Sequence, residues 1–273
     1  MKIGLQYGLI PGSNTADKLK WAADNGVEGI EINARSYDPA DLTPARKEFE
    51  NSPVPIVSIC GNTTFDYLDP DPKKRKVSID ASKAFLKLAG DLGAVGQIAP
   101  PIFGGPRIPD LSPYKDAITL EKDLLVEICK DLGEHAAACN TLFMLEPLNR
   151  YEQHLLRKQS DAVEIIERVG HPNVSLISDF FHMHIEERNT PETIREVGKH
   201  IAHVHLADNT REQPGTGDID FVAGFRALLD VGFSGYMIYE CGISGQDKAK
   251  AIQESLAYLR DCIDKAKASA ASA

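Results

Sequence analysis

The chain has 273 residues, of which 42% are hydrophobic and 26% charged; these proportions exclude a disordered or fibrous protein and supply a sizeable core. A net charge of −10, from 40 acidic and 30 basic residues, disfavours a phosphate-backbone footprint, which draws on clustered Lys and Arg. No run reaches the roughly 18 apolar residues that span a bilayer, and the opening MKIGLQYGLIPG lacks the apolar core of a signal peptide, so no membrane partner and a cytoplasmic location are expected.

In chain order, short β-rich runs alternate with stretches of helical period. A strand over 2–9 leads to a helix over 16–25, with Leu19, Ala22 and Ala23 on one face and Gly26 as its stop. A strand over 29–33 precedes the least distinct unit, a helix at 44–51. Then come a strand over 55–60, a helix over 77–92 ended by Gly93, a strand over 95–100 and a helix over 120–139. The second half repeats the alternation: strands over 141–148, 174–180, 202–207 and 235–240, with helices over 161–169, 191–200, 221–229 and 248–267. Thr190-Pro191-Glu192 reads as a hydroxyl cap followed by Pro at the first helical position. Eight strand–helix units in about 250 residues predict one closed parallel (β/α)8 TIM barrel over 1–265, with a frayed Ala/Ser tail at 266–273. The five cysteines show no CxxC spacing and read as reduced thiols.

Chemistry in such a barrel gathers where strands end. Strand five ends in MLEPLNRYE with Glu146, strand six in LISDFFHMHIEE with Asp179, strand seven in HVHLADNTR with His205 and strand eight in MIYECG with Glu240. Three carboxylates and an imidazole aimed at one axis repel one another without a cation between them. Oxygen-rich ligation with one His suits Mn2+, Mg2+ or Co2+ better than a structural Zn2+. His203, two residues before His205, falls on the same face one layer deeper and reads as buried support.

The set Glu146, Asp179, His205 and Glu240, at intervals of 33, 26 and 35 residues, resembles the ketose 3-epimerases of the xylose-isomerase-like barrel superfamily. The blocks EPLNRYE at 146–152, DFFHMHIEE at 179–187 and HLADNTR at 205–211 carry the resemblance; the first half of the chain is informative only as fold. The resemblance implies one divalent metal on those four residues, Mn2+ foremost, with Mg2+ and Co2+ as alternatives. It implies Glu146 and Glu240 as the acid/base pair, and Glu152, His182 and Arg211 as holders of substrate oxygens, His182 and Arg211 on loops leaving the catalytic face. It also implies a homodimer or homotetramer. His184 stands where that family has an asparagine and is at most peripheral. Phe65, Tyr67 and Phe103 are candidate apolar walls, Phe103-Gly104-Gly105-Pro106 a candidate lid, and Cys241 a neighbour of Glu240.

The resemblance implies C3 epimerisation of a ketose through a cis-enediolate. Aldose–ketose or hydroxypyruvate-type isomerisation, β-elimination from a 3-keto-glycoside and dehydroshikimate-type dehydration all begin with the same proton abstraction and stay open. A DNA-repair endonuclease of the same superfamily needs extra histidines from early strands, whereas all eight histidines here lie at 135 or later.

Overall fold

A computed structural model describes residues 1–270. Eight parallel strands close in sequential order, β1 against β8: β1 Lys2–Gln6, β2 Ile30–Asn33, β3 Ile56–Cys60, β4 Gly96–Ala99, β5 Leu142–Leu145, β6 Val174–Asp179, β7 Ile201–Leu206 and β8 Tyr236–Tyr239. The helices outside them are α1 Thr15–Asp24, α2 Thr43–Phe49, α3 Pro72–Leu92, α4 Ala117–Ala138, α5 Gln159–Val169, α6 Phe180–Glu186, α7 Thr190–Val197, α8 Phe221–Asp230 and α9 Lys248–Ala270. The expected (β/α)8 architecture is the observed one. None of the described helices is long and apolar enough to cross a membrane.

The differences are local and have physical causes. The expected 77–92 helix begins five residues earlier, because Asp71 accepts from Lys73 N and Pro72 sits in the first turn, where a missing N–H costs nothing. α7 is capped one residue upstream of Thr190: the Asn189 side chain accepts from Glu192 N. The expected frayed tail divides in two. Residues 266–270 continue α9, with Ala266 fully buried, and 271–273 lie outside the described residues.

Two apolar cores result from strand alternation. The larger fills the space between sheet and helices. The smaller, Ile98, Met144 and Ile177, lies inside the barrel: Met144 and Ile177 stand two residues before Glu146 and Asp179, hence on the same face one layer down. This plug forms the floor on which the polar groups converge.

Candidate active site

Glu146 and Glu240 immediately follow β5 and β8, Asp179 ends β6, and His205 lies within β7. One ligand atom from each lies within 4.8 Å of the others. His205 Nδ1 is 3.3 Å from Glu146 Oε1, 3.3 Å from Glu240 Oε2 and 3.9 Å from Asp179 Oδ2. Glu146 Oε1, Asp179 Oδ2 and His205 Nδ1 are buried without a hydrogen-bond partner. Orphaned polar atoms in an interior are costly, and three pointing at one spot indicate a missing ligand. Three carboxylates and one imidazole nitrogen suit a divalent cation.

The electrostatics have the same origin. Burial, and next the Glu240 charge, push the Glu146 carboxyl above its ordinary range. Burial acts the same way on Glu240, but the His205 imidazole outweighs it and holds Glu240 low. Burial alone would drive His205 down; the charges of Glu31 and Glu240 instead raise it well above the usual imidazole value.

The three expected substrate-binding residues converge beside this cluster. His182 is on a helix rather than the expected loop. Asp179 Oδ1 accepts from Phe181 N (2.7 Å) and His182 N (3.2 Å), so the strand's last residue caps α6 and starts a helix at once. His182 is buried, its Nδ1 accepts from Asn149 N and Nδ2, and its Nε2 has no partner. That pattern fixes the Nε2–H tautomer. Arg211 does lie on a loop; its Nη1 donates to Glu152 Oε1 at 2.7 Å and its Nη2 lies 3.5 Å from Glu240 Oε2. Its backbone is left-handed (φ 58°), held by Arg211 N to Asp208 O and Gly242 N to Arg211 O.

Phe65 and Phe103 line the cavity over the cluster, their ring centroids 4.9 Å apart, edge to face. Tyr67 does not: it is buried, with its hydroxyl bonded to Asn62 and Ser82. The candidate lid is tied down at Gly104, whose N–H donates to Glu152 O and whose carbonyl lies 2.8 Å from His154 Nδ1. His184 is largely exposed beside Asp218. Burial, then Glu240, push the Cys241 thiol up to about 12, against thiolate formation. Gly215 N and Thr216 N donate to Asp208 Oδ2, so that segment is a turn around a carboxylate and its amides are not free for a phosphate.

The first half of the chain contributes more than fold. Glu31 is fully buried and its Oε2 accepts from His205 Nε2 (3.1 Å) and Ser58 Oγ (2.6 Å). Gln6 Nε2 donates to Glu31 Oε1 (3.0 Å) and Glu240 Oε1 (3.1 Å), and Cys60 Sγ lies 3.4 Å from Glu240 Oε1. The signal available in the sequence was a lone Glu between Ile30 and Ile32, a charge inside an apolar strand. His203, as expected, is buried support, with Nε2 3.3 Å from both Ser58 Oγ and Glu31 Oε2.

Residues 19–262 match the model of the family described as the xylose isomerase-like TIM barrel. The chain belongs to that family. Among curated members, it is 30% identical over 264 residues to 3-dehydro-D-guloside 4-epimerase of Escherichia coli (strain K12), covering 96% of this chain and 100% of that one. It is 33% identical over 244 residues to L-ribulose 3-epimerase of Mesorhizobium japonicum, covering 88% and 80%. The solved structure of a 3-keto-D-glucoside 4-epimerase from E. coli superposes with a TM-score of 0.84 at 28% identity, over 96% of this chain and 100% of that one. These relatives are sugar epimerases, enzymes of the isomerase class.

Proposed function

We propose that this protein is a divalent-cation-dependent sugar epimerase that inverts a carbon next to a ketone, in the first instance C3 of a ketose. The observation that carries the reading is the convergence of Glu146, Asp179, His205 and Glu240 on one spot, three of their ligand atoms buried and unpartnered. A divalent cation bound there supplies Lewis-acid polarisation of a carbonyl and an adjacent hydroxyl, which acidifies the neighbouring C–H. Mn2+ is the proposed ion, with Mg2+ and Co2+ as alternatives, on the strength of the oxygen-rich ligand set.

The chain's own groups do the rest. Glu146 and Glu240 come from β5 and β8 and approach the cluster from different sides; one takes the proton from one face of the carbon and the other returns a proton to the opposite face. The Nε2–H of His182 donates to a substrate oxygen, because its other nitrogen is committed to Asn149. Arg211 and Glu152, already paired, present one donor and one acceptor to neighbouring hydroxyls. Phe65 and Phe103 wall the cavity and keep water from the carbanionic centre.

A second register of the same chemistry is supported by one finding: the relative matched over its full length is a 3-dehydro-D-guloside 4-epimerase. There the ketone is at C3 and the inverted carbon at C4, so the same pair of bases serves a sugar shifted by one carbon. The test is a panel of free ketoses, ketose phosphates and 3-keto-glycosides, given to cation-stripped protein restored with each ion in D2O. The expected result is inversion with solvent deuterium at the inverted carbon. Efficient turnover that retains the substrate hydrogen would overturn the two-base reading. A homodimer or homotetramer, proposed from the family resemblance, is checked by light scattering at micromolar protein.

A further inference from the structure

Three early-strand residues, Gln6, Glu31 and Cys60, touch the ligand cluster, and no role in proton transfer uses them. The two oxygens of Glu240 have different surroundings. Oε1 accepts from Gln6 Nε2 and Cys60 Sγ, whereas Oε2 faces His205 Nδ1 and Arg211. The two nitrogens of His205 differ likewise: Nε2 donates to Glu31 Oε2, and Nδ1 faces the carboxylates without a partner. The Gln6 amide itself has one orientation available. Both neighbours, Glu31 Oε1 and Glu240 Oε1, are acceptors, so its two N–H bonds must face them and its carbonyl must point away.

We propose that Glu31 and Gln6 form a bracket that selects the cation-facing atoms of the site. Glu31 fixes the Nε2–H of His205 to itself, so that Nδ1 is the nitrogen turned toward the cation. Gln6, bonded at once to Glu31 and Glu240, ties down Glu240 Oε1 and leaves Oε2 turned inward. The inference rests on the cation reading given above and concerns how that cation is held. Glu31, His203 and His205 also lie close enough together to be taken for a second cation site. The hydrogen bonds argue against it: Glu31 Oε2 already accepts from Ser58 Oγ and His205 Nε2, and none of the facing atoms is orphaned. Donors that already occupy Glu31 in this way orient ligands and leave no carboxylate oxygen waiting for an ion.

The test titrates Mn2+ into cation-stripped wild type, Glu31→Gln and Gln6→Met by calorimetry, with no sugar present, and records each stripped protein's Tm. Glu31→Gln keeps the shape but must turn an N–H2 toward either His205 or Gln6, setting donor against donor. Gln6→Met keeps length at a half-buried strand end and removes both donors. One Mn2+ per wild-type chain is expected, with affinity about 10- to 100-fold weaker in each variant at unchanged stoichiometry. Wild-type affinity in Gln6→Met overturns the Glu240 half of the bracket, and this variant alone decides it if Glu31→Gln does not fold. Wild-type affinity in Glu31→Gln overturns the His205 half. Two ions per wild-type chain, one lost in Glu31→Gln, would instead assign Glu31, His203 and His205 to a second cation. Failure of wild type to bind any ion removes the cation reading and the bracket together, whereas the epimerase reading can fail on the sugar panel with the bracket intact.

Discussion

Asp179 does two jobs with two oxygens. Oδ1 caps α6 and so places His182, while Oδ2 is one of the orphaned atoms of the proposed cation site. Asp179→Asn separates the jobs, because asparagine caps helices about as well as aspartate. Its carbonyl keeps the backbone donors and its N–H2 replaces the ligand oxygen. The expected outcome is a stripped protein with a Tm no lower than wild type, since one like charge has left a crowded pocket, yet with Mn2+ binding lost. Asp179→Ala removes the cap as well and is expected to cost roughly 1 kcal/mol more in urea unfolding. The proposed acid/base pair gives a parallel prediction. Glu146→Gln and Glu240→Gln each remove one proton acceptor while keeping shape, so kcat should fall about 10²- to 10⁴-fold in both reaction directions. Full activity in either variant would falsify the two-glutamate mechanism.

Among the elements, α6 is the short helix that aims the site, and it is fixed at both ends. Asp179 caps its start, and at its end Glu186 accepts from Arg150 N (2.6 Å) and Arg150 Nε (2.8 Å), pinning α6 to the loop after β5 that carries Glu152. Burial pushes the Glu186 carboxyl upward, but the Arg150 donors and charge outweigh it and leave it below its ordinary 4.5. A lowered carboxylate contributes stability that is fully present above about 4.5 and is lost as pH falls through the folded value. Glu186→Gln should therefore cost about 1–3 kcal/mol at pH 7 and less as the pH drops below 4.5, measured by denaturant unfolding across that range. A cost independent of pH would place the interaction in shape and not in charge. The loop after β4 is held in a comparable way: buried Glu121 accepts from Arg107 N, Ile108 N and His154 Nε2, which keeps Phe103 over the cavity.

For the molecule as a whole, closing the barrel concentrates four carboxylates (Glu31, Glu146, Asp179 and Glu240) around His205 in a chain already at −10. A cation that binds only the folded state offsets that repulsion and stabilises by mass action, about 2.7 kcal/mol when free ion is a hundredfold above its Kd. For a chain of this size that is roughly 5 °C in Tm. Chelator treatment followed by a thermal melt should show a fall of this order, reversed by adding Mn2+. A Tm indifferent to chelator would mean that the carboxylates are satisfied without an ion.

The amino-acid sequence by itself determined the barrel and singled out four residues of the proposed site. Strand and helix periods are local, and Glu146, Asp179, His205 and Glu240 each end or closely follow an apolar strand, so their common face could be read one strand at a time. Helix α6 is also local, formed because Asp179 meets its own following amides, but that cap is hidden within an apolar run. Two things were decided only by tertiary structure. Tyr67 turned into the core because Asn62 and Ser82 were waiting for its hydroxyl. The supporting half of the site, Gln6 to Glu240 across 234 positions and Glu31 to His205 across 174, exists because β8 closes onto β1 and brings the first strands beside the last. Periodicity reports which face a residue takes within its own element; which distant residue shares that face, and which nitrogen or oxygen it leaves free, is set by the closure.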